Sequence, residues 1–147
     1  PSACLNFINT KFLKEINLLF LPGIIHEDQL FSTLLYLQSN RVMCIHKDFF
    51  KRRLRCDSIM TRKFSLKNID SYFIITDRLF TYASEHTETR YIVDKHLSKM
   101  LNAAVWLSYK MPFKDRLYIA RRCIKDYKRY VSGKNILILL FKSFLKK

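Results

Sequence analysis

Residues 21–34 read LPGIIHEDQLFSTL, in which a Pro-Gly pair precedes two isoleucines, a histidine and two consecutive carboxylates. The Pro-Gly pair predicts a turn, and apolar side chains at steps of three and four from Leu30 onward predict an amphipathic helix. That helix is expected to start at about 26–28 and to end near 39–40. The two carboxylates then lie at a helix N-terminus, where exposed amides and the helix dipole would stabilise each by about 0.3–1 kcal/mol.

The composition of the whole chain favours a compact, helix-rich protein. Of its 147 residues 49% are hydrophobic and 14% aromatic, enough for a core in about one domain's length of chain. With 2 Gly and 3 Pro, a turn-rich β-sandwich is disfavoured. The formal net charge of +15 predicts a cationic surface, which suits nucleic acid, anionic lipid or phosphorylated ligands without choosing among them.

The cysteine pattern indicates reduced thiols in a cytosolic protein. The four cysteines at 4, 44, 56 and 123 are widely spaced and contain no C-x-x-C pair. Cys44 and His46 form the one close Cys/His pair, which falls short of the four ligands of a structural zinc site. We therefore expect Cys44 to be a core residue and the chain to hold no metal. No signal peptide and no apolar run of membrane-spanning length, about 20 residues, is apparent.

The rest of the chain divides by pattern into a mixed N-terminal part and a helical C-terminal part. Thr10 is placed to cap a first helix that ends before the Pro-Gly turn. Arg41–Phe50 is short and β-branched, which predicts a strand followed by a cationic loop. Pro112 is expected in the first turn of the clearest helix and Gly133 just past its end. The predicted helices after the loop are 66–80, 92–107, 113–131 and 134–147. The best boundary gives two domains, 1–64 and 65–147, and the first residues read like the middle of a domain in a longer protein.

A block of arginines after the predicted strand suggests a second half of a site. Alternation places Arg53 and Arg55 on one face of an extended segment, and the guanidinium fork suits phosphate groups. Ser58 and Thr61 add hydroxyl groups. Together with the carboxylates, this block suggests a phosphorylated donor and a hydroxyl acceptor. The alternatives are a capping role for the acids and a solvated cationic loop for the arginines.

Two motifs that follow one another along the sequence resemble, when taken together, the C-terminal part of family 2 glycosyltransferases. These are the GT-A-type enzymes of bacterial capsule, lipopolysaccharide and exopolysaccharide synthesis. Phe12 to Phe31 matches F-L-x-E-x-x-L-x-F-x-P-G-I-x-H-E-D-x-x-F, and Arg53 to Thr61 matches R-x-R-x-x-S-I-M-T. The similarity covers about Asn6 to Thr61. It implies an α-rich α+β fold, in which residues 1–64 form the C-terminal part of a GT-A α/β nucleotide-sugar transferase domain with few short strands. Residues 65–147 would form a mainly helical tail.

The resemblance also implies a reaction, the inverting transfer of a sugar from a nucleotide sugar to a hydroxyl of a saccharide or lipid-linked acceptor. Asp28 is implied as the general base for that hydroxyl, a role typically worth about 10²–10⁴-fold in rate. Glu27 is implied as the residue that braces the helix start behind Asp28. His26 is implied as a neighbour of the acceptor, and the alternative is a surface histidine whose hydrogen bonds are satisfied.

The donor side is only partly represented in these residues. The resemblance implies that Arg53, Arg55 and Ser58 lie by the donor diphosphate and offset the charge of the leaving group. The family's nucleotide-binding half and its D-x-D motif, which holds Mn²⁺ or Mg²⁺, have no counterpart in this sequence. We therefore expect the isolated chain to be inactive and to bind nucleotide sugar weakly, whereas the full-length protein is expected to be a glycosyltransferase.

The cationic helices leave other interpretations open. The last predicted helix has a broad apolar face flanked by lysines, so it is expected either to lie on an anionic membrane or to dock on its neighbours. In the first case the protein is cytoplasmic and peripheral at the inner face of the membrane. A basic helical face instead suggests a nucleic-acid-binding module or a helical adaptor, although no recognised DNA or RNA motif is present. That face comprises Arg121, Arg122, Lys125, Lys128 and Arg129.

Overall fold

The computed structural model describes residues 2–48, 50–51 and 63–142, and within these ranges every regular element is helical. The α-helices are α1 (Thr10–Glu15), α2 (Glu27–Gln38), α3 (Leu66–Glu85), α4 (Arg90–Leu107), α5 (Phe113–Asp126) and α6 (Gly133–Phe141). Short 3₁₀ turns occur at Ala3–Leu5, Thr87–Thr89 and Ser108–Lys110. The chain divides into two compact units, Pro1–Lys63 and Phe64–Lys147.

The predicted α+β fold is wrong for the described residues. The predicted strand at Arg41–Phe50 is not formed at residues 41–48, which are irregular and exposed. A strand is stable only when another strand accepts its backbone hydrogen bonds and one face is buried, and the described residues offer no second strand. A GT-A fragment with few strands is therefore not supported. Cys44, expected in the core, is exposed for the same reason.

The first unit is built on α1 and α2. Asn9, rather than Thr10, caps α1, because the Asn9 Oδ1 accepts a hydrogen bond of 2.9 Å from the Lys11 amide. The helix ends early, since Asn17 adopts a left-handed conformation with φ of 47° just after the C-cap. Helix α2 lies where it was predicted. Its side chains Leu30, Phe31 and Leu35 are buried.

The second unit is a bundle of four helices in which apolar stripes meet. A capping box of Ser65 and Asn68 starts α3. Helix α4 packs on α3 and α6, and α5 packs on α6. The predictions of helices at 66–80 and 92–107 are confirmed, with α3 running on to Glu85. The fully buried side chains of the bundle include Ile69, Leu79, Val93, Leu97, Leu101, Ile119 and Leu139.

Helix α5 ends five residues earlier than the apolar period predicts. The C-cap is Tyr127, and it is held by tertiary contacts: its ring stacks on Phe73 with centroids 4.7 Å apart, and its hydroxyl donates to Asp77. Tyr130 similarly donates to Asp94 at 2.9 Å. The prediction for Gly133 is wrong, because it is the first residue of α6, whose N-cap Ser132 accepts from the Asn135 amide.

Helix α6 docks on its neighbours. Leu139 is fully buried, and the Lys142 Nζ lies 4.0 Å from the Trp106 ring centroid and 4.1 Å from that of Tyr109. Two of its apolar side chains, Leu137 and Phe141, nevertheless remain exposed. Among the described helices, none has both the length and the apolar content that a membrane crossing requires.

Candidate functional site

A cavity of about 370 Å³ opens at the start of α2. Three consecutive residues of the predicted site, His26, Glu27 and Asp28, line it together. The remaining lining residues are Ser2, Ala3, Cys4, Phe20 and Ile25. The cavity thus has an apolar wall and a wall that carries one imidazole and two carboxyl groups.

The N-terminal 3₁₀ turn packs against α2 and forms a further part of the cavity wall. The Tyr36 hydroxyl donates to the Asn6 Oδ1 at 2.6 Å, and the Asn6 Nδ2 donates to the Ser32 Oγ at 3.4 Å. Ser32 is fully buried. The Phe20 ring stacks on Phe31 with centroids 4.1 Å apart, which fixes the segment between α1 and α2.

Two left-handed residues shape the backbone that leads into α2. Gly23 has φ of 85°, a conformation that glycine adopts at no steric cost, and a Cβ there would contact nothing, so conformation rather than space calls for glycine. His26 is the N-cap with φ of 68° and ψ of 29°, unusual for a residue with a side chain. Its carbonyl accepts the first helical bond from the Gln29 amide at 2.9 Å. Backbone conformations of this kind outside glycine are sparsely populated and cluster at functional sites.

Burial sets the charge state of His26. Partial burial lowers the pKa of its imidazole, while the neighbouring carboxylates of Asp28 and, to a smaller extent, Glu27 oppose that shift. Since the unfolded chain binds a proton more readily than the buried imidazole, the free energy of unfolding should rise with pH up to the ordinary pKa of histidine. At neutral pH the imidazole is therefore uncharged and offers one donor and one acceptor.

The order of these electrostatic effects gives a direct test of the site's geometry. In Asp28→Asn the pKa of His26 should fall further, because the strongest opposing carboxylate is lost; in Glu27→Gln it should fall by less. The measurement is the pH titration of the His26 ring protons by NMR in the unchanged chain and in both variants. A larger effect from Glu27→Gln would contradict the described arrangement.

The structure brings together one half of the predicted site. Glu27 is exposed and Asp28 half-buried in the first turn of α2, as the capping interpretation requires, and both line the cavity, as the catalytic one requires. Arg53, Arg55 and Ser58 lie outside the described residues, so their role at a donor diphosphate stays a prediction. The wall formed by residues 2–4 was missed, and no local pattern in the sequence signals it.

Comparison of the chain with protein-family models, with characterised proteins and with solved structures finds no match. The site therefore has to be interpreted from its own chemistry. In the described part of the chain, no group of three or more His, Cys, Asp or Glu side chains could hold a metal ion.

Proposed function

We propose that the cavity at the start of α2 binds the acceptor of an inverting glycosyl transfer and that Asp28 is its general base. In this reaction the Asp28 carboxylate takes the proton of an acceptor hydroxyl as that oxygen attacks the anomeric carbon of a nucleotide sugar. The bond between that carbon and the donor phosphate breaks, its electron pair leaves with the nucleoside diphosphate, and the anomeric configuration inverts. A nucleotide sugar is the donor because its diphosphate leaves without further activation of the sugar.

The observation that supports this proposal most is the composition of the cavity walls. A sugar presents both hydroxyl groups and apolar C–H faces, and the cavity offers carboxyl and imidazole groups together with the apolar side chains of Phe20 and Ile25. Its volume of about 370 Å³ is within the range of small-ligand sites. The half-buried Asp28 is reachable from this space, as a base in contact with substrate must be.

The neighbouring residues take supporting roles in the proposal. Glu27 adds a second carboxylate in the first turn of α2, where both acids complement the helix dipole. The uncharged imidazole of His26 can donate to or accept from a second hydroxyl of the acceptor and so orient it. The left-handed backbone at His26 fixes the position of this ring relative to the acids.

The donor side of the proposal rests on the sequence resemblance. Arg53, Arg55 and Ser58 are proposed to contact the diphosphate, and Mn²⁺ or Mg²⁺ is implied for the family. The described residues do not fit such an ion, so no step is assigned to a metal bound by them. The proposal includes a role in the synthesis of bacterial surface polysaccharide. It also includes a cytoplasmic location, which is peripheral at the inner face of the membrane if the acceptor is lipid-linked.

The alternative of a nucleic-acid-binding module has less support. Of the predicted basic face, Arg122 pairs with Asp126 and lies over the Phe73 ring, and Arg129 pairs with Asp94. These two cations therefore contribute to packing within the second unit rather than to an open basic surface.

Two exposed cysteines allow a test of acceptor binding. Cys4 lines the cavity and Cys44 does not. The ligands are the methyl glycosides of glucose, galactose, mannose and N-acetylglucosamine. We expect at least one of them to slow alkylation of Cys4 by iodoacetamide and to leave alkylation of Cys44 unchanged. Peptide-resolved mass spectrometry measures both rates in one sample. Equal rates at Cys4 with and without every glycoside would count against the acceptor site, and micromolar binding of a nucleotide sugar in calorimetry would contradict the weak donor binding expected of this chain.

A further inference from the structure

We propose that the exposed face of α5 is a docking surface for an anionic lipid bilayer. The surface, called here the α5 face, consists of Phe113, Lys114, Leu117, Arg121, Ile124 and Lys125. This proposal concerns the second unit and does not depend on the proposed glycosyl transfer.

The first observation is an exposed apolar strip along α5. Phe113 is 51% exposed, Ile124 53% and Leu117 36%. At 100° per residue these three side chains fall within about 40° of one another, so they form one line along the helix. Helix α5 builds the core with a different set of side chains, Ile119, Ala120 and Cys123, which flank the strip on one side, and hence the exposed strip is additional to the residues that build the core.

The second observation is the segregation of charge beside that strip. Lys114, Arg121 and Lys125 are exposed, and helical rotation places them directly next to the apolar line. They form no ion pair within the described residues, unlike Arg122, which pairs with Asp126. The acids of α5, Asp115 and Asp126, fall on the opposite side of the helix from the apolar strip.

The first turn of α5 is tied to the last turn of α6. The Arg116 guanidinium lies 5.4 Å from the Phe113 ring centroid and donates to the Leu139 carbonyl at 3.1 Å, which ties the first turn of α5 to the last turn of α6. In that part of α6 Phe141 is 53% exposed. An exposed apolar side chain thus also occurs in the turn of α6 that is hydrogen-bonded to α5.

Charge complementarity and the apolar strip together favour a lipid surface over nucleic acid. Anionic headgroups attract each nearby Lys or Arg, and half-exposed Phe, Leu and Ile side chains are stabilised when they enter the headgroup region. A phosphate backbone would use the cations alone and would leave Leu117 and Ile124 in water. An interfacial helix of this kind lies along the membrane and does not cross it.

The test measures binding of the whole chain to vesicles of phosphatidylcholine, with and without phosphatidylglycerol, by co-sedimentation. We expect binding only to the anionic vesicles, and Lys114→Gln, Arg121→Gln and Lys125→Gln combined to weaken it on the order of 100-fold. The matched control, Lys67→Gln, Lys95→Gln and Lys99→Gln combined, removes the same charge from exposed positions of α3 and α4 and should retain most binding. An equal loss in both triple variants would show a dependence on net charge alone and overturn the proposal.

A second pair of variants tests the apolar strip. Ile124→Ser should weaken vesicle binding by about fivefold, whereas Ile92→Ser, at an isoleucine of α4 that is 60% exposed, should not change it. Circular dichroism checks that both variants keep their helices. Unchanged binding of Ile124→Ser, with duplex DNA bound as tightly as anionic vesicles, would indicate a nucleic-acid surface and overturn the proposal.

Discussion

Replacement of Asp28 by Asn is expected to lower the kcat of sugar transfer by about 10²–10⁴-fold, because a positioned general base contributes that much to a proton transfer. Asn keeps the shape of the side chain in the first turn of α2 but cannot take the proton of the acceptor hydroxyl. Donor affinity should remain unchanged, since Asp28 is proposed to contact the acceptor. The measurements are steady-state kinetics and the Kd of the nucleotide sugar. If the chain is part of a longer protein, they are made on the full-length protein.

Glu27→Gln is the matched control for this experiment. It removes one carboxylate from the same helix turn and the same cavity, so any effect that arises only from the helix dipole should be the same in both variants, at about 0.3–1 kcal/mol of stability. We expect Glu27→Gln to keep most of the turnover. Retained turnover in Asp28→Asn, or an equal loss in both variants, would return the two acids to a capping role.

Helices were predictable in this chain because each buries a stripe with the period of the helix. In α4, Val93, Leu97 and Leu101 are at most 1% exposed, and their spacing alone predicted the element. The end of α5 was not predictable in this way, since Tyr127 and Val131 continue the apolar period although the helix has ended. Their burial comes from contacts such as that of Tyr127 with Asp77, which is 50 residues away in sequence.

The predicted strand shows the limit of local patterns. Val42 and Ile45 have the β-branched side chains typical of strands, yet both are exposed in the described structure. A strand depends on a partner that the local sequence does not specify. The cavity was only partly predictable for a similar reason. His26 to Asp28 were identified from the sequence, but the wall formed by residues 2–4 depends on the hydrogen bond from Asn6 to Ser32, which joins residues 26 positions apart. Non-local hydrogen bonds of this kind leave no periodic signal.

Replacement of Arg116 by Met is expected to destabilise the second unit by about 2–4 kcal/mol. Arg116 is 5% exposed, and its guanidinium donates to the Leu139 carbonyl at 3.1 Å and to the Leu140 carbonyl at 3.5 Å. Both carbonyls belong to the last turn of α6, and carbonyls in the last turn of a helix generally take their donors from outside that helix. Met keeps the unbranched apolar stem of the side chain but donates no hydrogen bond, so it would leave these carbonyls without their charged donor.

The position of the single tryptophan makes this prediction measurable. Trp106 lies within 4.0 Å of the Lys142 Nζ just beyond α6, so its fluorescence reports the second unit and the attachment of α6. Urea unfolding followed by this signal should show a lower midpoint for Arg116→Met and an intermediate one for Arg116→Lys, which keeps the charge without the fork. Arg121→Met, at an exposed arginine of the same helix, should change the free energy of unfolding by less than about 0.5 kcal/mol.

Amide hydrogen exchange separates two ways in which the Arg116 variant could lose stability. If Arg116 holds only the end of α6, exchange should quicken in α6 and remain slow at the fully buried positions of α3 and α4, because local opening exposes only the released helix. If Arg116 supports the whole bundle, protection should fall in all four helices together. We expect the second pattern, because the hydrogen bonds of Arg116 join α5 to α6 and their loss is expected to lower the free energy of unfolding of the whole unit. Equal stability of Arg116→Met and Arg121→Met would contradict the role assigned to these bonds.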